Sequence, residues 1–337
     1  MSKILFSSYL FHPSVGGIES VSKVLTEKFA AAGNDVHVIT QTAGDEISGL
    51  NYRISRRPSL TKLIRLLRWS DLFFQNNVSL RSLIPALFLR KPTIVVHQTW
   101  LQNTRGRVTW NNILKRILLR FVTNVAISKA VADGFSGHSF VIGNPYDDTI
   151  FRLLSDVARD QDLVFVGRLV SDKGVDLLLR AVRFLQDDNL LPDLTIVGSG
   201  PEEENLRRLT NDLALDRQVT FVGQRSGPPL AELLNRRRVL VVPSRWAEPF
   251  GVVALEGIAC GCVVVGSEQG GLKEAIGPCG LTFENGNVAA LAAQLKRLLT
   301  EADLQTKFRQ PAAEHLAKFQ SDAIVAAYLR VMRKLVS

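Results

Sequence analysis

The sequence predicts an α/β protein with two doubly wound, Rossmann-like domains, and three observations favour this class. Apolar runs of strand length alternate with helix-length amphipathic segments, which is typical of a parallel sheet with helices on both faces. The alternation starts again at Asp162, after a polar segment that lacks a strand pattern. The chain has 337 residues, enough for two domains of ordinary size. We therefore predict a domain boundary near residues 150–160.

The first half follows this alternation from its start. KILFSSYLF, at residues 3–11, predicts a strand, and HPSVGGIES is a glycine loop before an amphipathic helix that stops near Gly33. Residues 60–69 predict another amphipathic helix, because four apolar side chains recur on one face. Further strands are predicted at 35–40 and near 71–75, 93–97, 125–128 and 139–142.

The second half repeats the pattern. A strand, DLVFVG, begins at Asp162 and is followed by the loop GRLVSDKG and the helix VDLLLRAVRFL. Next come the strand and turn LTIVGSGP, the helix EEENLRRLTNDL, the strand VTFVG and the helix LAELLNRRR. After Gly271 we predict short helices, the last from about 322 to 335. The predicted domains are 1–152 and 153–320, with a separate C-terminal helix at 321–337.

The stretch 240–265 carries the clearest chemistry. A buried strand ends at a proline, a loop follows, and a helix is predicted from about 249 to 259. Gly251 lacks a Cβ, so an anion can approach the free amides of the first helical turn. The helix is apolar all round except for Glu256, which predicts a buried helix whose carboxylate needs partners. Glu248 lies at the carboxyl end of the strand, where ligands bind in open α/β sheets.

Two interpretations of these glutamates stay open on spacing alone. Carboxylates accept hydroxyls and a helix N-terminus accepts an anion, and a sugar joined to a nucleoside diphosphate offers both. Alternatively, Glu256 pairs with a core arginine and Glu248 caps the helix. The stretch resembles the motif of two glutamates separated by seven residues in retaining glycosyltransferases of family 4. The matching residues are Pro243, Ser244, Glu248, Pro249, Phe250, Gly251, Glu256 and Gly261.

This resemblance implies the GT-B architecture, in which two doubly wound domains face each other across a cleft and the last helix crosses back to the first domain. It implies that Glu256 holds ribose hydroxyls and that Glu248 holds hydroxyls of the transferred sugar. It also implies a donor-binding role for Pro249, Phe250 and the amides at Gly251 and Val252.

The loop from Gly167 to Gly174 holds Arg168 and Lys173 after a strand. They read as two solvated cations when taken alone. The loop, however, resembles the family's G-R-L-x-x-x-K-G element, whose arginine and lysine bind the donor diphosphate. Each cation at ~4 Å from a phosphate charge, with an effective dielectric of about 20, interacts by roughly 4 kcal/mol before desolvation. The resemblance therefore implies that these two cations take the place of a metal ion.

Further glycines fit the same family. The turn GSGP resembles one that frames the nucleotide base, although such turns are common, and it contributes Gly198 and Gly200. Gly270 and Gly271 resemble the G-G-x-x-E element, and they allow either close backbone approach or merely a tight turn.

Two elements of the first half have functional and structural interpretations. Gly16 and Gly17, with Glu19, resemble the family's G-G-x-E loop near the donor phosphates, but a simple strand–helix turn would look the same. His97 ends the strand TIVVH at a carboxyl edge, so it is either an acceptor-side residue or a structural histidine. Gln98 stands where the family usually has an aspartate, so the family's role for this histidine does not carry over directly to His97.

The composition is that of a globular protein without a membrane-spanning segment. Hydrophobic residues make up 46% and charged residues 22%, as in globular proteins, and no apolar stretch approaches the ~20 residues of a spanning helix. The three cysteines have no metal-ligand spacing and fit a reducing compartment, so we predict a cytoplasmic protein. Asp160 and Asp162 have an Asp-x-Asp spacing but precede their strand, so we expect no metal and no cofactor beyond the nucleotide-sugar co-substrate.

The charge is unevenly distributed. Residues 1–150 hold 18 Lys and Arg against 9 Asp and Glu, which gives the whole net charge of +9, while the remainder is neutral at 41−18 = 23 basic and 32−9 = 23 acidic residues. The segments 53–68 and 105–120 carry much of this excess. No nucleic-acid motif is present, so we expect no nucleic-acid partner. An anionic membrane met peripherally by the first domain is the better candidate, although solvated helix faces would also explain these runs.

Together these features predict a metal-independent, retaining glycosyltransferase. It would move a hexose-type sugar from a nucleotide-diphosphate sugar to a glycan, lipid or small-molecule acceptor, as in polysaccharide biosynthesis. The residues assigned to catalysis are Arg168, Lys173, Glu248 and His97. A nucleotide-sugar epimerase and a non-catalytic nucleotide-sugar sensor are the alternatives. The residues assigned to donor binding are Gly16, Gly17, Gly167, Gly198, Gly200, Pro249, Phe250, Gly251, Val252 and Glu256.

Overall fold

The computed structural model describes residues 1–14, 16–44, 49–101, 110–135, 137–301 and 303–336. The chain divides into two compact units, Met1–Asp147 together with Phe319–Ser337, and Asp148–Lys318. The first division falls a few residues before the predicted boundary at 152. No helix in these ranges is long and apolar enough to cross a membrane.

The first unit is a parallel seven-stranded sheet in the order β3-β2-β1-β4-β5-β6-β7. The chain runs outward from β1 in one direction and from β4 in the other, which is the doubly wound arrangement. The elements are β1 Lys3–Ser8, α1 Gly17–Ala31, β2 Asp35–Thr40, β3 Arg53–Arg56, α2 Leu60–Trp69, β4 Leu72–Asn76, α3 Leu80–Phe88, β5 Thr93–His97, α4 Trp110–Leu118, β6 Thr123–Ala126, α5 Lys129–Asp133 and β7 Ser139–Val141.

The second unit is a parallel six-stranded sheet in the order β10-β9-β8-β11-β12-β13. Its core lies between the sheet and the flanking helices and consists mainly of Leu, Val and Phe side chains. The elements are β8 Gln161–Val166, α6 Val175–Asp187, β9 Leu194–Val197, α7 Glu203–Asp212, β10 Val219–Phe221, α8 Pro228–Asn235, β11 Arg237–Val242, α9 Val252–Ala259, β12 Val263–Ser267, α10 Leu272–Ile276, β13 Gly280–Phe283, α11 Val288–Thr300, α12 Leu304–Arg309 and α13 Ala312–Ala317.

The last helix, α14 (Ser321–Val336), belongs to the first unit and packs beside α1. Its Tyr328 is fully buried against Phe29 and Phe74, with ring centroids 6.2 and 5.2 Å away. An ion pair between Lys28 and Asp322, 2.7 Å apart, lies at the start of the helix. The C-terminal residues therefore complete the core of a unit that begins more than 300 residues earlier in the chain.

The sequence analysis missed two strands and extended one helix too far. The sequence analysis did not predict β3 or β13, both of which are short edge strands. The run of arginines after α8 was assigned to that helix, whereas Arg237 begins β11. Its guanidinium is buried and donates to Asp193 Oδ2 at 2.6 Å, so a residue that looks like a solvated helix end is an interior strand residue.

The basic segment 53–68 is not one continuous helix. Arg53 and Arg56 lie in β3, where Arg53 pairs with Asp35 at 2.7 Å and stacks over the Trp69 ring. Only the part from Leu60 onward is helical. Arg105 and Arg107 lie outside the described residues.

Stability should fall at mildly acidic pH because of His37 in β2. The ring is buried and its Nε2 lies 2.8 Å from Ser55 Oγ. Burial, reinforced by Arg53 and Lys62, lowers the pKa of His37 from 6.5 to about 4. The unfolded chain therefore takes up the proton first, and stability that is present above pH 6.5 is lost as the pH falls towards 4.

The free energy of unfolding should fall by about 1.4 kcal/mol per pH unit, or by about 3 kcal/mol as the pH falls from 6.5 to about 4. Urea unfolding of wild type and His37→Asn between about pH 7 and pH 5 measures it. The difference in stability between the two proteins should shrink as the pH falls. A difference that stays constant would show that the His37 pKa is not lowered by folding.

Candidate functional site

The second sheet has a single reversal of strand order among its described strands, between β8 and β11. The chain winds from β8 to β9 and β10 on one side, and from β11 to β12 and β13 on the other. The loops after β8 and β11 leave the sheet at neighbouring carboxyl ends and in opposite directions. In open α/β sheets this is where a ligand-binding crevice forms.

Three glycines hold the loops at this edge in direct backbone contact. A Cβ on Gly174 would lie 2.1 Å from the Pro243 carbonyl oxygen. A Cβ on Gly198 would lie 1.8 Å from the Gly167 carbonyl oxygen, and one on Gly200 would lie 2.3 Å from that of Leu169. The loops after β8, β9 and β11 therefore pack more closely than any side chain permits, and the predicted residues at 167, 198 and 200 are part of this framework.

Gly198→Ala should destabilise the second unit strongly. The backbone φ of Gly198 is +148°, and its new methyl group would collide with a backbone carbonyl that cannot move freely. Gly286→Ala is the matched control, because its φ is +81° but nothing lies within 4 Å of the added Cβ. We expect Gly198→Ala to cost at least about 2 kcal/mol more than the control. Urea unfolding followed by fluorescence of Trp246 measures this, and equal losses would contradict the close packing.

Lys173 and Glu248 meet across the two loops. Lys173 Nζ donates to Glu248 Oε1 at 2.5 Å, and Ser244 Oγ donates to the same oxygen at 2.7 Å. The carboxylate is mostly buried, with 11% of its side chain exposed, whereas 29% of the lysine side chain is exposed. No hydrogen bond reaches Oε2 from the described residues. One carboxylate oxygen is therefore held in place and the other is available to a ligand.

Arg168 and Lys173 together form what we call the positive edge of this site. Arg168 lies two residues after the end of β8, its side chain is exposed, and it forms no ion pair with any described residue. Lys173 lies five residues later in the same loop, two residues before the start of α6. The two cations thus flank the loop at the point where the strand order reverses.

Sequence reasoning missed the contacts that fix the loop after β11. The Ser244 carbonyl accepts from Ser267 Oγ at 2.7 Å and from Asn285 Nδ2 at 3.1 Å. Arg245 binds both carboxylate oxygens of Asp176, at 2.5 and 2.6 Å. Burial alone would raise the pKa of Asp176, but the hydrogen bonds and charge of Arg245 outweigh it and hold the pKa below its usual range. None of these residues has a sequence signal, since their partners lie in other loops.

Helix α9 begins later than predicted. Gly251 has a φ of +105°, which is left-handed and incompatible with a helical residue, so the helix starts at Val252 and Pro249 lies in the loop before it. A Cβ on Gly251 would lie 2.5 Å from Leu272 Cδ1, so packing also requires glycine there. The prediction of a wholly buried helix was wrong for its first turns, because Val252 and Glu256 are only partly buried. The helix N-terminus is thus accessible.

Gly270 allows the backbone at Glu248 to pack directly against its own backbone. Its φ is +84°, and a Cβ there would lie 2.2 Å from the Glu248 carbonyl oxygen. That oxygen accepts from the Gly271 amide at 2.7 Å. Of the two interpretations left open by the sequence, the structure favours close approach, with Glu248 itself as the neighbour.

The predicted residues of the first unit lie at the carboxyl edge of their own sheet. Gly16 precedes α1 and Gly17 is its first residue. Glu19 folds back over Gly16, where an added Cβ would lie 2.5 Å from Glu19 Oε2. A side chain at Gly16, whose backbone is extended, would therefore have to displace the Glu19 carboxylate.

His97 is buried at the end of β5, with 1% of its surface exposed. Its Nε2 lies 2.9 Å from Asn124 Oδ1, and its ring packs 4.9 Å from that of Phe135. Burial lowers the pKa of His97, so the ring is neutral near pH 7, and Nδ1 has no partner among the described residues. This geometry favours the structural interpretation, and an acceptor-side role stays a prediction.

Gln98 joins a buried polar network instead. Gln98 and Asn144 exchange hydrogen bonds of 2.8 and 3.0 Å. Gln98 also donates to Asn76 Oδ1 at 2.8 Å, and Asn76 donates to Ser22 Oγ at 2.7 Å. The network ties β4, the end of β5 and α1 to Asn144.

Comparisons with known proteins relate the second unit to glycosyltransferases. Residues 149–315, which hold the strands and loops just described, match the family "Glycosyl transferases group 1". A D-inositol 3-phosphate glycosyltransferase of Corynebacterium jeikeium is 34% identical over 186 residues, which cover 52% of this chain but only 44% of that protein. The chain thus spans less than half the length of that curated relative. An uncharacterised glycosyltransferase of Methanocaldococcus jannaschii is 25% identical and covers 99% of this chain and 98% of its own length.

The fold has close counterparts among solved structures. Anabaena HepE, solved in complex with UDP-glucose, superimposes with a TM-score of 0.83 at 19% identity, over 99% of this chain and 100% of its own. WaaG, a glycosyltransferase involved in lipopolysaccharide biosynthesis, gives a TM-score of 0.71 at 16% identity, over 97% and 99% of the two chains. The predicted pair of Rossmann-like, parallel-sheet units of the GT-B type is confirmed.

Proposed function

We propose that this protein is a retaining glycosyltransferase that moves a hexose-type sugar from a nucleotide-diphosphate sugar to a hydroxyl of a glycan, lipid or small-molecule acceptor. One observation carries the proposal. At the strand-order reversal of the second sheet, Lys173 and Glu248 form an ion pair that leaves one carboxylate oxygen available, beside the accessible N-terminus of α9. Cations, a carboxylate and free amides are the groups that a sugar diphosphate requires.

The diphosphate would bind at the positive edge. Its oxygens accept from the free N–H groups at the start of α9, where the helix dipole favours an anion. Arg168 offers a planar fork of donors and Lys173 a compact charge. When the sugar–phosphate bond breaks, the departing diphosphate gains negative charge, and both cations stabilise it. In this proposal they supply the charge that a metal ion provides in other glycosyltransferases.

The two glutamates would bind the polyols on either side of the diphosphate. Glu248 Oε2 accepts hydroxyls of the transferred sugar while Oε1 stays fixed by Lys173 and Ser244. Glu256, on the partly exposed side of α9, accepts the ribose hydroxyls. Gly198 and Gly200 place the turn after β9 beside the loop after β8, where it would frame the base.

No described side chain is assigned as a nucleophile. The acceptor oxygen bonds to the anomeric carbon from the face that the diphosphate leaves, and the bond from that carbon to the phosphate oxygen breaks. Because the new bond forms on the face from which the diphosphate departs, the configuration is retained, and the acceptor proton passes to the departing phosphate oxygen. Tight support of that leaving group is what the protein contributes.

A donor screen tests the proposal. Uridine, guanosine, adenosine and thymidine diphosphates and their sugars are added singly, with the uridine series first because HepE was solved with UDP-glucose. A ligand at 100 times its Kd stabilises by about 2.7 kcal/mol, which raises the melting temperature by several degrees. The preferred donor is then incubated with and without acceptors. Transfer requires an acceptor, whereas conversion of the donor alone indicates an epimerase, binding without turnover indicates a sensor, and no stabilisation by any nucleotide contradicts the proposal.

A further inference from the structure

Helix α4 exposes the face that a helix normally buries. Its apolar positions recur with helical spacing, so they share one side. None of the residues of this helix is fully buried. The exposed fractions are 86% for Trp110, 37% for Ile113, 38% for Leu114, 48% for Ile117 and 71% for Phe121, which follows in the next turn.

The helix is held to the sheet mainly at its C-terminal end. Leu119, just beyond α4, is fully buried with Leu83 and Val95, and Leu118 packs against that cluster. The apolar face one to two turns earlier has no such contact with the described core. The helix therefore packs on the unit at its C-terminal end, and its bulky apolar side chains are exposed to solvent.

Positive charge surrounds this face. Lys115, Arg116 and Arg120 are the charged residues between positions 110 and 121, and no acidic residue occurs there. Over the wider segment 58–121 the sequence has 11 Lys and Arg and one acidic residue, Asp71. Asp71 is engaged elsewhere, since its Oδ2 accepts from the Lys3 amide at 2.8 Å.

Helices α2 and α3 lie on the same side of the first sheet. One cluster joins Leu63 of α2 to Ala86 of α3, and a second joins Leu83 of α3 to Leu119. Each of these two helices also has an exposed apolar residue, Leu60 at 55% and Phe88 at 85%. Cationic and apolar groups are thus combined across one side of the unit, and α4 with the turn after it contributes five exposed apolar side chains.

We propose that α4 lies in the interface of an anionic lipid membrane, with Trp110, Ile113, Leu114, Ile117 and Phe121 inserted among the acyl chains and the three flanking cations at the headgroups. Helices that lie in the membrane plane combine an apolar face containing Trp and Leu with Lys and Arg beside it. Each basic residue near an anionic leaflet adds attraction of about 1 kcal/mol. A partner protein would have to match this charge and this apolar face at once, whereas an anionic bilayer offers both.

Vesicle sedimentation tests the proposal on the full chain. Wild type should sediment with vesicles of phosphatidylcholine and phosphatidylglycerol and remain in solution with phosphatidylcholine alone. The affinity of the double variant Trp110→Ser/Ile117→Ser for the anionic vesicles should be lower by at least about tenfold. Leu191→Ser is the matched control, because Leu191 is 68% exposed in the second unit, and it should bind as wild type does.

A second measurement locates the contact. Trp110→Phe keeps an aromatic ring and should still bind, but the blue shift of tryptophan fluorescence that anionic vesicles induce in wild type should be largely lost. Failure of wild type to bind anionic vesicles overturns the proposal. Unchanged binding of the double variant also overturns it, because it would mean a contact made by charge alone. Melting temperatures of the variants, with and without nucleotide, separate these results from loss of folding or of donor binding.

Discussion

Replacing Lys173 with alanine is expected to lower the turnover of sugar transfer by at least tenfold. Lys173 faces Glu248 at 2.5 Å and would face the diphosphate once a donor binds. Removal of one group that stabilises developing negative charge costs about 10²- to 10³-fold in well-studied enzymes. Arg168→Ala should act in the same direction. Turnover and KM measured with the donor found in the screen give the result, and a lost leaving-group contact should appear mainly in turnover.

The control must remove a lysine in an ion pair elsewhere. Lys296→Ala serves, because Lys296 pairs with Asp188 at 2.9 Å on an exposed surface of the same unit. It should leave turnover unchanged. Near-wild-type transfer by both Lys173→Ala and Arg168→Ala would contradict the assignment of the positive edge to the diphosphate.

A double-mutant cycle separates two ways in which Lys173 could act. If it only orients Glu248, then once Glu248→Gln has been made, adding Lys173→Ala should cost little further activity. If it contacts the diphosphate while Glu248 contacts the sugar, the two losses should be nearly additive as free energies. We expect near-additivity with a small coupling from the hydrogen bond that the pair now shares. A fully non-additive cycle would restrict Lys173 to a positioning role.

Replacing Tyr328 with alanine should destabilise the first unit by about 3–5 kcal/mol, the usual cost of deleting a buried aromatic side chain. Tyr328 is fully buried, and its ring meets those of Phe29 and Phe74 edge-on. The substitution leaves a cavity between α14 and the core. The aromatic rings that line the cavity are large, so they cannot easily move to fill it. Urea unfolding followed by tryptophan fluorescence measures this, because three of the four tryptophans lie in the first unit.

Tyr328→Phe is the control and has the opposite expected sign. The Tyr328 hydroxyl is buried and has no hydrogen-bond partner among the described residues. Removing it should leave stability unchanged or raise it by about 1 kcal/mol, because the cost of an unsatisfied buried group disappears. A loss in Tyr328→Phe comparable to that in Tyr328→Ala would mean that the hydroxyl has a partner, such as an ordered water, and that the ring is not the main contribution.

The architecture was predictable because strand and helix periods are local properties of a sequence. The strand at Asp35–Thr40 and the helix at Leu60–Trp69 were predicted to the residue. The elements that were missed are short edge strands, which bury little and so carry a weak apolar signal. Arg237 was missed for a different reason. A buried arginine can be recognised only when its partner is known, and Asp193, which precedes β9, lies 2.6 Å away in the fold.

The candidate site was also predicted only in part: its residues were identified from the sequence, but their contacts were not. Motif resemblance led to Arg168, Lys173 and Glu248, and the parallel topology puts their loops at adjacent strand ends. The sequence did not predict that Lys173 and Glu248 bind each other, nor that Arg245 joins Asp176. It also placed His97 in the site by its position at a strand end, while the structure buries the ring.

By itself, the sequence determined the alternation of strands and helices, the restart of that alternation at Asp162, the confinement of the excess positive charge to the first half, and the residue types at the loop ends. Only the tertiary structure decided which polar groups meet, which glycines have no room for a Cβ, and that the apolar face of α4 stays in solvent. The physical reason is range. Periodicity depends on neighbours within a few residues, whereas hydrogen bonds, steric exclusion and burial depend on atoms that the fold brings together from distant parts of the chain.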